Sequence, residues 1–143
     1  SKSIISSLKD CFGSKKLYRV GKNIRQKDES SRLTELPITT VTPFGLPLIG
    51  TSAIVFPEFI YNFMLKFSLR SDYINFEAHG IDLCDVQDDE KLFQLKAFQP
   101  DLKHSPDRKV ARFEKLIEHY RSKGYEFKTL KEISDICSRG EMN

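Results

Sequence analysis

Cysteine is scarce in this chain: Cys11, Cys84 and Cys137 are the only three among 143 residues. They are widely spaced, odd in number and form no C-x-x-C pair. This argues against a disulfide framework and against a structural zinc site, and they read as reduced thiols in a reducing compartment. No run of 18 apolar residues occurs, so no segment qualifies as a transmembrane helix. The opening stretch SKSIISSLKD lacks the apolar core of a signal peptide, and a cytoplasmic location is the expectation. The first residue is serine rather than methionine, so a processed, tagged or truncated piece is the expectation. An excess of one sign of charge is lacking as well: 23 Lys and Arg stand against 20 Asp and Glu, a net charge of +3. That is too small to argue for nucleic acid or an anionic membrane as partner.

What is present fits one domain with one core. The hydrophobic fraction of 39% and charged fraction of 30% are those of an ordinary water-exposed chain, slightly polar. The most informative stretch is Asp72 to Asp85, DYINFEAHGIDLCD. Tyr73 to Phe76 alternates as a short β-strand that ends at Ala78-His79-Gly80, followed by Asp82 and Asp85. A strand that delivers a histidine to its tip, then a glycine and an acidic loop, is how α/β enzymes present polar side chains in a cleft. A glycine there permits a sharp turn or the close approach of a ligand. A lone histidine at a strand end is also commonly a partly buried structural residue. Cys84 lies close enough in sequence to His79 for a Cys–His nucleophile, provided the chain turns back between them.

Ser1 to Gly13 has weak helical or turn character, Leu17 to Val20 reads as a short strand, and Gly21 to Arg32 as an exposed loop. Leu33 to Phe44 is β-branched and alternating, hence a strand, with Pro37 near its start. Pro43, Gly45 and Pro47 then force irregular backbone. Phe56 to Arg70 is a helix with Pro57 at its first position. Its stripe of Phe59, Ile60, Phe63, Met64 and Phe67 is expected in the core. Asp85 to Glu90 is an acidic loop, read as a solvated turn in preference to a metal site. Leu92 to Phe98 is a short helix, and His104 lies in a loop. Pro106 to Lys123 is the clearest helix: Ser105 is its N-cap, Gly124 its stop, and Val110, Phe113, Leu116, Ile117 and Tyr120 its buried stripe. His119 falls on its polar side. Tyr125 to Lys128 reads as a strand, and Thr129 to Glu132 as a capping box that opens a last helix.

Strands alternating with helices predict an α/β fold with parallel strands and right-handed crossovers. Only about three core strands are visible, which suggests half of a larger architecture. The divisions expected are an extension and loop over 1–34, the α/β unit over 35–138, and a frayed tail over 139–143.

Several segments in this order resemble a known family. They are Glu35-Leu-Pro-Ile-Thr39, Leu46-Pro-Leu-Ile-Gly-Thr51, Asn75-Phe-Glu-Ala-His-Gly-Ile-Asp-Leu83, Gln99-Pro-Asp-Leu102 and Tyr125-Glu-Phe-Lys-Thr-Leu130. Together they look like the C-terminal half of polysaccharide deacetylases, the NodB-type carbohydrate esterases. The likeness runs from about Glu35 to Ile136, and the H-G-I-D segment carries most of it. The resemblance implies part of a distorted (β/α) barrel and the hydrolysis of the C–N amide bond of an N-acyl amino sugar. It implies a divalent metal, usually zinc, in the complete enzyme. The family holds that metal through a D-D pair and an H-x-x-x-H motif, neither of which occurs here. Asp88-Asp89 does not follow a strand, and His104 and His119 are wrongly spaced. No metal ligand is therefore expected in this chain.

The segment Phe76-Glu77-Ala78-His79-Gly80 matches the family's last motif. On that match His79 is the general acid that protonates the leaving amine. Histidine suits the task because imidazole ordinarily titrates near neutral pH. Asp82 is a candidate for orienting His79, and Glu77, Ala78 and Gly80 are candidate substrate contacts. The implied partners are an amino-sugar glycan and the missing N-terminal half of the barrel, with a second copy as a further candidate because open sheet edges favour pairing. Two other readings stand beside this one. The first is a catalytically inert carbohydrate-binding or interaction module descended from the same fold. The second is a small hydrolase using Cys84 as nucleophile.

Overall fold

Prolines at 37, 43 and 47 remove backbone donors from the segments with the highest strand content, and the strands that form are correspondingly short. In the computed structural model, which describes residues 16–23, 26–41, 45–86 and 90–140, β1 (Tyr18–Arg19) pairs antiparallel with β2 (Thr34–Glu35). The helices are α1 (Gly50–Val55), α2 (Glu58–Ser68), α3 (Glu90–Leu95), α4 (Pro106–Ser122) and α5 (Leu130–Ser138). Two 3-10 turns, Gly80–Leu83 and Pro100–Lys103, connect them. The character expected for residues 1–13, Cys11, the centre of the acidic segment (87–89) and the last three residues lie outside the described residues. Among the described residues no helix is long and apolar enough to cross a membrane.

The chain divides into two units, Ser1–Pro37 with Glu126–Asn143, and Ile38–Tyr125. In the first unit, α5 opens as its sequence predicts. The Thr129 N–H donates to Glu132 Oε2 at 2.7 Å, and the Glu132 N–H donates back to Thr129 Oγ1 at 3.3 Å. The segment Tyr125 to Lys128, expected as a strand, does not form one.

The second unit holds the core, a cluster of Val41, Leu48, Ala53, Tyr61, Met64, Leu65, Leu116 and Tyr120. Three extended segments line it. Leu48 N–H donates to the Thr39 carbonyl at 2.8 Å, Thr39 N–H to the Asn75 carbonyl at 3.0 Å, and Gly50 N–H to the Glu77 carbonyl at 2.8 Å. The strand expected over 73–76 is thus extended chain with a single parallel bridge, Ile49 to Glu77. Of the strand expected over 33–44, the described residues 33–41 form β2 and an isolated antiparallel bridge, Thr40 to Pro47, and 42–44 lie outside the described residues.

The ends of α4 match their sequence signals. Pro106 occupies the first turn and Ser105 the N-cap position, although its hydroxyl makes no capping bond. At the other end Gly124 has φ of 82°. Its N–H donates to Arg121 at 3.0 Å, and the Tyr125 N–H donates to Tyr120 at 3.1 Å. This is the paired hydrogen bonding of a Schellman stop, and the Tyr120 and Tyr125 rings pack 5.4 Å apart across it.

Two helix faces differ from expectation. On α2 the buried residues are Tyr61, Met64, Leu65 and Ser68, whereas Phe59 and Phe63 are 73% and 53% exposed. Seven of the eleven residues of α2 are apolar, so their spacing does not select one face. On α4 the buried positions are Lys109, Arg112, Leu116 and Tyr120, while Val110 and Ile117 are exposed. The helix is turned so that its cations reach backbone carbonyls. Arg108 and Arg112 come within 3.5 Å of the carbonyls of Ile54 and Phe56, at the C-terminal end of α1.

Candidate functional site

Glu77, Ala78, His79 and Gly80 are all exposed, in sequence order, where the third extended segment passes into the first 3-10 turn. The His79 side chain is 69% exposed. Its Nε2 is 3.5 Å from Glu77 Oε1 and its Nδ1 is 3.9 Å from Asp82 Oδ2. The structure therefore brings together three of the residues singled out in the sequence: His79, Glu77 and Asp82. Ala78 and Gly80 complete the exposed run. A Cβ added to Gly80 would meet nothing within 4 Å, so the glycine leaves open space over the backbone beside the imidazole.

Asp82 is buried, only 2% exposed. Its strongest contact is with the backbone of His79 rather than with the ring: the His79 N–H donates to Oδ2 at 2.7 Å. Thr51 Oγ1 donates to Oδ1 at 3.2 Å. A carboxylate that accepts a backbone N–H and a hydroxyl is well satisfied away from water. Asp82 thus holds the peptide from which His79 projects. Gly50 makes this placement feasible, because a Cβ there would stand 2.2 Å from Asp82 Oδ2. The pairing of Gly50, Thr51 and Asp82 spans more than thirty residues, and no local pattern announces it.

Cys84 closes the same turn. Its thiol donates to the Gly80 carbonyl at 3.4 Å, a bond within the turn that does not involve an imidazole. Its own carbonyl accepts from Lys109 Nζ. Among the described residues no group of three His, Cys, Asp or Glu side chains is placed to hold a metal ion.

The buried charges of this unit among the described residues are two of each sign, Asp82 and Asp101 against Lys109 and Arg112. Arg112 pairs with Glu58 at 2.9 Å, and Lys115 with the same carboxylate. These cations hold Glu58 below the usual carboxylate range. Neither oxygen of the Asp101 carboxylate has a hydrogen-bond partner among the described residues. His119, expected on the polar side of α4, is half-buried with its ring 5.5 Å from that of Tyr120.

His104 stands at the end of the second 3-10 turn. Burial holds its imidazole below the usual 6.5; Arg108, Lys109 and Arg112 act in the same direction, and Asp101 opposes them. The unfolded chain therefore takes up this proton first as pH falls. The stability present above pH 6.5 is lost on acidification through that value toward the lower folded one. Urea midpoints measured across this range should decline less steeply in His104→Gln than in the parent; identical slopes would show that His104 contributes nothing.

Comparison with family models, with curated proteins and with solved structures found no match to this chain.

Proposed function

We propose that this chain is the C-terminal part of a metal-dependent deacetylase of N-acyl amino-sugar glycans, with His79 as its proton donor. The observation that carries this reading is the presentation of His79. An exposed imidazole projects from a backbone that is itself fixed by the buried Asp82 carboxylate. Fixed backbone under an accessible acid–base group is what proton transfer to a bound substrate requires. In the proposed step water adds to the amide carbonyl to form the new C–O bond, and the imidazolium then gives its proton to the nitrogen as the C–N bond breaks. The products are a free amine and a carboxylic acid, and the neutral amine leaves in place of a strongly basic amide anion. Glu77 and the open space at Gly80 border the place where the sugar would sit. In this reading the three extended segments of the second unit are one part of a (β/α) barrel, and the remaining strands, with the groups that bind metal and activate water, belong to chain outside this sequence.

The test is an assay of the complete protein, supplied with zinc, on an N-acetylated chito-oligosaccharide. Acetate and free amine are expected in equal amounts, and the 143-residue chain alone is expected to release neither. Absence of both products from the complete protein on a panel of N-acyl amino-sugar polymers would count against the reading, as would turnover by the isolated chain.

One observation favours an interaction module instead. Phe59, Phe63 and Phe67 follow one another along α2, with Phe63 and Phe67 5.7 Å apart and the Arg70 guanidinium 4.2 Å over the Phe67 ring. Two exposed phenylalanines in this row are unusual on a surface facing only water. In that reading a partner or a second copy would cover them.

A further inference from the structure

A lysine that is 0% exposed is rare, because its ammonium group loses its hydration on burial. Lys109 is such a residue. It forms no ion pair with any described carboxylate, and its Nζ donates to the carbonyl of Cys84. An apolar side chain of similar length would fill the same space without that cost. What an apolar side chain would not supply is the bond to Cys84, the residue that ends the 3-10 turn begun at Gly80. The start of that turn is fastened by Asp82 through the His79 N–H.

We infer that Lys109 is a positioning residue for His79: from α4 it anchors the far end of the loop whose near end carries the imidazole. Between the two fastenings lie five peptide units, already tied internally by the Asp82 N–H to the His79 carbonyl at 2.9 Å and the Cys84 N–H to the Ile81 carbonyl at 3.1 Å. These bonds couple the two fastenings, so that release of the far end is expected to displace His79. For its catalytic readout the inference rests on the deacetylase reading; its structural readout does not.

The experiment compares the complete protein with Lys109→Met, which removes the donor, and Lys109→Gln, which keeps a neutral one. The first measurement is the proton–carbon NMR resonance of the His79 ring, with His119 as the internal reference. Lys109→Met should shift or broaden the His79 signal and leave His119 in place, with Lys109→Gln intermediate. Should Lys109→Met fail to fold, Lys109→Gln against the parent carries the same comparison. An unmoved His79 signal in a folded variant overturns the inference. The second measurement is turnover. Lys109→Met should lower kcat by about 10²-fold with KM nearly unchanged. In a His79→Gln background it should add almost nothing, since it acts through that residue. An unchanged kcat, or losses that multiply in the double variant, would also overturn it. A complete protein inactive on every substrate, yet with a His79 signal that responds to Lys109, would reject the deacetylase reading and leave the anchoring intact.

Discussion

Replacing Gly50 with alanine is expected to destabilise the fold by about 3 kcal/mol, enough to lower the melting temperature by about 10 °C. The added methyl would stand 2.2 Å from Asp82 Oδ2 and 2.6 Å from its Cγ, far inside contact distance. Gly50 cannot retreat easily, because its N–H is bonded to the Glu77 carbonyl at 2.8 Å. Asp82 must therefore move. Moving it breaks the bonds from His79 N–H and Thr51 Oγ1 and leaves a buried carboxylate without partners, at a cost of about 1–3 kcal/mol beyond the overlap itself. The measurement is a double-mutant cycle by urea denaturation. Asp82→Ala alone is destabilising because it abandons the same two donors. It also removes the atoms that the new methyl would strike, so the double variant should be much less destabilised than the sum of the two singles. Strict additivity would mean that the two residues do not meet as described.

Local signals in the sequence were faithful at the start of α5 and the end of α4, whereas Ser105 holds its N-cap position without a capping bond. The capping box at Thr129 and Glu132 and the positive φ of Gly124 are decided within a few residues of chain, and both are present. The extent of α4 follows from the same signals. Facing was less legible. Phe59 and Phe63 promised a core stripe, but α2 is apolar around most of its circumference and packs through Tyr61, Met64 and Leu65. The inward turn of Lys109 and Arg112 was hidden for a related reason. Apolar periodicity counts side chains and takes no account of carbonyls on other elements that a cation can satisfy, here those of Cys84 and Phe56. The spacing Lys109, Arg112, Leu116, Tyr120 does follow one helix face, and it was the signal that could have shown the arrangement. At the candidate site the accessible His79 and its neighbour Glu77 were legible, since both lie in one short motif. The contact of Asp82 with Gly50 was not, because it depends on how two distant segments meet.

His79→Gln in the complete protein should reduce turnover by about 10²- to 10⁴-fold while leaving stability within about 0.5 kcal/mol of the parent. The small effect on stability follows from exposure: the ring is 69% exposed, and Asp82 holds the backbone of residue 79, not its side chain. The large effect on turnover follows from the leaving group. An amide nitrogen that departs unprotonated carries a charge that water stabilises poorly, so loss of the donor raises the barrier directly. Because the proton moves only in the transition state, kcat and kcat/KM should fall together, with KM little changed. The leaving group also separates this mechanism from mere displacement of the substrate. An aryl acetate expels an oxygen that needs no proton, so its hydrolysis by the same protein should lose far less on His79→Gln than hydrolysis of the amide. Equal losses on the two substrates would show that His79 positions the sugar and donates no proton, and unchanged turnover on both would remove it from the chemistry altogether.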